Sequence, residues 1–403
     1  MRLILGADNK FAFNAALFLY SKSIVDMIRM IGMAYIPGIA AQIEPIRNMI
    51  YAYFTLYLLY YIFVCSKGQV KKGVVWISFG LLLIIGYSYM FMQCKPIVFQ
   101  EFIIVFVTRC FPGFLFFYLE SDYEDILRYI NKLSPIMVLY CVMLLIFQRP
   151  DDYMAVSFNM LPFMVFFVAY GMWYGKKKHI IFGILMTVEI FTLGSRGALL
   201  SGVIAIGFFA ILDLIYNKSK DSKKKFISVM LSCFVIALVA IFFDEGIKFL
   251  SALYPDSRTL MLLERGSIDQ DSNRFDMWNN IWNAIKNDPI SIRGVLADRG
   301  FYEYMGGTRQ YTHNFILEIL YQFGIFIGGL FLFAFFVKLI ICFKNAVRDF
   351  NQVTLLVGMM IPSTIIQMMF SSSYLNNVNF WCCLGIILIV SKNQICYTDI
   401  GGE

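Results

Sequence analysis

The sequence predicts an all-α polytopic membrane protein, and three observations carry that prediction. Of its 403 residues, 59% are hydrophobic and only 15% are charged, whereas a soluble domain carries about 25% charged residues. Apolar runs near the length of about 20 residues that a spanning helix needs recur along almost the whole chain. The connections between them alternate in lysine and arginine content, as the positive-inside rule requires. A soluble enzyme, a disordered chain and a secreted disulfide scaffold are all excluded on these grounds. The nine cysteines lie in or beside apolar runs, with no spacing that fits a zinc site or a disulfide framework. The net charge of +7 is accounted for by short basic loops and calls for no nucleic acid.

Taken in order, about twelve spans are expected: 11–36, 49–65, 74–92, 97–119, 134–147, 153–173, 179–193, 196–216, 226–243, 313–343, 353–369 and 375–390. No cleavable signal peptide precedes them. Lys67, Lys71 and Lys72 follow the second span, and Lys176, Lys177 and Lys178 the sixth. Lys218, Lys220, Lys223, Lys224 and Lys225 follow the eighth, while Lys338, Lys344 and Arg348 close the tenth. Each is an even-numbered connection, so these loops and both termini are expected in the cytoplasm. The mixed segment 120–132 falls on the same side. His179, just after three lysines, reads as a solvated topology residue. The division expected is a bundle of about nine helices over 1–243, an extracytoplasmic loop over 244–312, and three spans with a cytoplasmic tail over 313–403. The only large loop separates unlike halves, and no internal repeat is visible. That asymmetry counts against a transporter.

The outer loop uses mostly arginine: Arg258, Arg265, Arg274, Arg293, Arg299 and Arg309. Topology explains the cytoplasmic lysines but not these. Arginine suits a site that grips phosphate or carboxylate with a planar fork. The plainer reading pairs each with the loop's acids, such as Asp256, Glu264, Asp269 and Asp276. Within the loop, Trp278, Ile281, Trp282 and Ile285 recur at helical spacing, with Ser272 or Asn273 as cap and Pro289 as stop. A second short helix is expected over 253–263. Gly294, Gly300, Gly306 and Gly307 mark an irregular stretch after the first helix.

Several polar residues are candidates for chemistry. Arg196 stands in Gly194-Ser195-Arg196-Gly197-Ala198, a turn predicted to face outward. A guanidinium at a helix N-terminus makes an anion site suited to phosphate; snorkelling to the interface is the alternative. Arg274 lies in the first turn of the loop helix, where a cation opposes the helix dipole and a bound anion, or Asp276, relieves it. His313 opens the tenth span, with Thr312 as the expected N-cap and Asn314 beside it. A helix N-terminus disfavours the imidazolium, which suits a general base; a polar residue at an interface is the plainer account. Arg109 and Glu189 fall within spans, where ionisable residues are costly and often functional, and a structural pair between them is one reading. Asp269 and Asp271 form a weak D-x-D pattern with no supporting cluster.

In order and spacing, Gly194-Ser-Arg-Gly-Ala198, Arg274-x-x-x-Trp278, His313-Asn314-x-x-Leu317 and the glycines at 324, 328 and 329 resemble the bacterial O-antigen ligase and repeat-unit polymerase superfamily (Wzy and WaaL types). The chain departs from the family at Pro289-Ile-Ser-Ile-Arg293-Gly294, where Pro-x-x-Gly-x-Gly is frequent, and this leaves the role of Arg293 open. The resemblance implies a GT-C-like membrane glycosyltransferase with no metal or other cofactor. It implies a donor glycan on undecaprenyl diphosphate at the outer face of the bacterial cytoplasmic membrane, with a flippase and a chain-length regulator as partners. By motif it assigns diphosphate binding to Arg196 and Arg274 and base catalysis to His313, with Arg293 and Asn314 as further substrate-binding candidates. Repeat-unit polymerase for O-antigen or capsule is the favoured reading, ligation to lipid A core the alternative, and a flippase the alternative outside the class.

Overall fold

The computed structural model describes residues 9–36, 40–66, 72–91, 93–120, 122–147, 153–193, 195–216, 252, 274–304, 311–349, 352–370 and 372–392. The regular elements among them are all helical. The expected ninth span and the expected helix at 253–263 lie outside the described residues.

The other expected spans coincide with helices. They are α1 (Lys10–Tyr35), α2 (Ala40–Tyr60), α3 (Lys72–Met90), α4 (Pro96–Val105) continuing into α5 (Phe111–Leu119), α7 (Ser134–Ile146), α8 (Tyr153–Tyr174), α9 (Lys177–Leu193) and α10 (Arg196–Tyr216). Within the loop lie α11 (Arg274–Asn287) and α12 (Ala297–Tyr304), and after it come α13 (Phe315–Phe323), α14 (Gly329–Asp349), α15 (Gln352–Phe370) and α16 (Val378–Val390). The mixed segment after α5 forms its own helix, α6 (Tyr123–Lys132). Asp122 caps it, Glu124 and Asp125 occupy its first turn and Lys132 its last, each charge matching the helix dipole.

Among the described residues, seven stretches are long and apolar enough to cross a membrane: Lys10–Tyr35, Gln42–Cys65, Lys72–Met90, Pro96–Leu119, Tyr153–Tyr174, Phe315–Arg348 and Gln352–Met369. The pair α6 and α7, bent by 43°, makes an eighth if taken as one broken span. The helices at 197–212 and 378–390 are shorter. Trp76, Phe79, Leu82 and Tyr89 of α3 are all exposed; such a helix surface suits hydrocarbon rather than water.

The long tenth span is two helices. Gly324 has φ +70°, and the wide turn Gly324–Gly328 separates α13 from α14. Similar wide turns follow α2 at Tyr61–Cys65 and join α4 to α5 at Phe106–Cys110.

The chain forms two compact units, one of residues 1–136, 273–357 and 368–403, the other of 137–272 and 358–367. In the first, α16 packs along α5, and α1 packs on α2, α5 and α6. A Cβ on Gly385 would stand 2.7 Å from the Phe114 carbonyl oxygen, so the α5–α16 approach requires glycine there. Phe11, Phe18, Phe54 and Phe116 fill the space between α1, α2 and α5. In the second unit, α8 and α9 form a hairpin closed at Gly175, φ +63°, and α10 packs on α8. His179 was expected in solvent. It is instead buried, its ring 4.8 Å from Tyr170 and 5.9 Å from Phe167. Its apolar ring body finds aromatic faces on α8 one turn after the hairpin bend.

Candidate functional site

The two arginines expected at the diphosphate each occupy the first position of a helix, Arg196 in α10 and Arg274 in α11. Their side chains lie outside the described residues. Arg196 belongs to the second unit, whereas Arg274, Arg293, His313 and Asn314 belong to the first. Arg109 and Glu189 also fall in different units. Arg109 donates to Asn48 Oδ1 at 3.2 Å and lies over the Tyr51 ring at 5.0 Å. Glu189 is buried in α9.

The loop after α11 is folded tightly against α13. Ile281 and Ile285 of α11 are fully buried and pack on Ala297, Tyr302 and Tyr321, which settles the inward face of that amphipathic helix. Trp282 stays partly exposed. The stretch expected to be irregular contains α12, with Asp298 in its first turn. Position 300 of this helix is glycine because its Cα faces the Gln93 carbonyl, whose oxygen a Cβ would strike.

Arg293 is buried and braces this loop. It donates through Nη1 to the Tyr321 carbonyl at 3.0 Å and through Nη2 to the Asp288 carbonyl at 2.8 Å. It pairs with the Asp288 carboxylate at 3.2 Å and lies 4.5 Å from the Tyr321 ring centre. Its own N–H and that of Gly294 both donate to the Gln322 carbonyl. The fork is therefore engaged with the protein's own oxygens, which gives Arg293 a structural role.

His313 sits at the head of α13 but not inside it. Its φ is +52°, a left-handed value uncommon for a residue with a Cβ. That reversal shifts the cap. Asn314, rather than the expected Thr312, is the N-cap, its Oδ1 accepting from Ile316 N at 3.1 Å and Leu317 N at 3.2 Å. The half-buried His313 ring lies 3.9 Å from the ring of Tyr311.

Thr312 is turned the other way, into a buried polar network. Its N–H and hydroxyl donate to Asp298 Oδ2 at 3.3 and 3.2 Å. Its carbonyl accepts from the Trp278 indole at 2.9 Å. Asp298 Oδ1 accepts from Gln322 Nε2 at 2.8 Å, and Gln322 Oε1 accepts from the Tyr374 hydroxyl at 2.6 Å. Ser373 donates to Glu318 Oε1 at 2.5 Å. Arg299 Nη1 stands 3.6 Å from both Asp298 Oδ1 and Glu318 Oε1. Asp298, Glu318 and Gln322 are 0% exposed, so this single guanidinium serves two fully desolvated acids. Burial pushes the Tyr374 hydroxyl well above the usual tyrosine range, and the neighbouring Glu318 and Asp298 push the same way. Tyr302 is raised too, by burial first and Asp298 second.

Sequence reasoning did not single out Asp298, Gln322, Ser373 or Tyr374, and it counted Arg299 only among the loop arginines. A signal was present. Glu318 and Gln322 stand four apart on one face of an otherwise apolar helix, and polar groups buried at that spacing require partners.

Residues 181–334 match the family model described as O-antigen ligase. No curated protein and no solved structure matches the chain. The matched segment contains both helix-opening arginines, the network acids and His313. The chain is a multi-pass membrane protein that is similar, over residues 181–334, to the O-antigen ligase family.

Proposed function

We propose that the protein is a repeat-unit polymerase. It transfers a growing glycan from undecaprenyl diphosphate to the non-reducing end of a second lipid-linked repeat unit, at the outer face of the bacterial cytoplasmic membrane. The observation that carries this reading is the family match over 181–334, which includes Arg196, Arg274 and His313 in the expected order. In the step, an acceptor hydroxyl oxygen attacks the anomeric carbon of the donor. The bond from that carbon to the diphosphate oxygen breaks, and the configuration inverts. His313 takes the hydroxyl proton. The leaving diphosphate gains negative charge, which the guanidiniums of Arg196 and Arg274 and their helix N-termini stabilise most strongly at the transition state. This is the work a divalent cation does in many soluble transferases. Polymerase is preferred because superfamily sequences diverge widely and ligases are one branch among many.

A second reading has a specific observation in its favour: the matching family model is described as a ligase. A glycan profile of the parent strain with the gene deleted separates the two. A single repeat unit left on its terminal acceptor supports the polymerase. Full-length polymer stranded on undecaprenyl diphosphate supports the ligase. An unchanged ladder overturns both. Arg196→Ala, Arg274→Ala and His313→Ala, each expressed at parental levels in the membrane, are expected to reproduce the deletion profile.

A further inference from the structure

The left-handed backbone of His313 needs an external restraint. A non-glycine residue in that region is strained by about 1–3 kcal/mol, although histidine enters it more readily than most residues. The restraint is visible on its N-terminal side. Thr312 offers three polar groups, and all three are held: the N–H and hydroxyl by Asp298, the carbonyl by Trp278. On its C-terminal side, Asn314 is fixed by capping α13, and its carbonyl accepts from Glu318 N at 2.9 Å. His313 is thus suspended between two anchored residues.

Of these anchors, Asp298 carries the most. One carboxylate joins α12 to the 311–314 segment through Thr312 and to α13 through Gln322. Its charge is buried with Arg299 beside it, and Arg299 is shared with Glu318. A buried carboxylate is retained at a desolvation cost, and a hydrophobic residue of similar size would pack here without that cost. We propose that Asp298, held by Arg299, is a positioning residue. It locks Thr312 and so sets the backbone of His313 and the direction in which the imidazole is presented to the acceptor hydroxyl. The inference rests on the proposed role of His313 as base. Asp298 does not touch substrate and acts only through Thr312.

The test is the transfer rate of the purified full-length protein in detergent, with the parent strain's polyprenyl-diphosphate-linked repeat unit as substrate. Asp298→Asn keeps the volume, but its amide nitrogen must face either the Thr312 donors or the Gln322 amide, and Arg299 loses a counter-charge. A misplacement of about 1 Å costs on the order of 100-fold in rate. The expected result is therefore a drop of that order in kcat with KM within about twofold of the parent. Because Asp298 works through His313, Asp298→Asn combined with His313→Ala is expected to be no slower than His313→Ala alone. A fall in KM-controlled binding with kcat kept, or fully additive losses in the double variant, overturns the proposal. If Asp298→Asn does not fold, Thr312→Val, which removes only the hydroxyl bond to the same carboxylate, is expected to lower kcat alone, with Thr312→Ser restoring it. A Thr312→Val enzyme with parental kcat overturns the proposal. Failure of the base assignment looks different: His313→Ala itself then retains parental kcat.

Discussion

At the scale of single residues, Arg293 is an arginine that serves the fold. Arg293 touches two carbonyls, a carboxylate and a ring at once, which only a planar fork can do. Arg293→Lys keeps the charge and loses the fork. It is expected to lower stability by about 2 kcal/mol, seen as a lower midpoint in thermal unfolding of the detergent-solubilised protein. A parental midpoint would show that charge alone suffices. Gly324 is a second such residue. Its φ of +70° and ψ of 168° lie in a region that is essentially glycine-only, and a Cβ there would stand 2.9 Å from the Ile290 carbonyl oxygen. Gly324→Ala is expected to cost about 1–3 kcal/mol and to loosen the hydrogen bond from Ile325 N to the Pro289 carbonyl, 2.7 Å long in the parent. Amide hydrogen exchange at Ile325 reads this directly. The candidate residues at 196, 274 and 313 were visible in the sequence because short motifs surround them. Asp298 was not, because its partners at 312 and 322 lie beyond a stretch that spacing describes only as glycine-rich.

At the scale of elements, α13 shows how a cap and a break define a helix that hydropathy alone merges with its neighbour. The apolar run from 315 to 348 reads as one long span, yet Asn314 begins it and Gly324 interrupts it after nine residues. The polar face of α13, Glu318 and Gln322, then points into the buried network rather than into lipid. Asn314→Ala removes the acceptor for two helix N–H groups and is expected to destabilise by about 1 kcal/mol, while Asn314→Asp retains the cap. Comparing the two variants in the same unfolding assay checks this. Equal midpoints for Ala and Asp would remove capping from the explanation. Helix positions were legible elsewhere because apolar length is a strong signal. Turn geometry was not, since the left-handed value at His313 leaves no mark in a pattern of apolar runs.

At the scale of the whole molecule, the composition fixed the class and the helices agree with it, but the division into two units was beyond reach of the sequence. The first unit draws on three separate stretches of chain, and no pattern of apolar runs announces which of them will pack together. The membrane sides expected from lysine placement are tested by cysteine labelling. A cysteine placed at Phe275 is expected to react with an impermeant maleimide added outside, and one placed at Lys177 only after permeabilisation; the reverse would invert the topology. The threefold origin of the first unit also bears on how the protein is made. Ser373, Tyr374 and α16 leave the ribosome after the entire 181–334 segment, yet they complete the surroundings of Glu318, Gln322 and α5. The nascent chain therefore carries Glu318 and Gln322 for some time before their buried partners arrive. A chain stopped after residue 371 keeps every motif and is expected to be inert and protease-sensitive, so that premature release from synthesis leaves nothing half-assembled in the membrane.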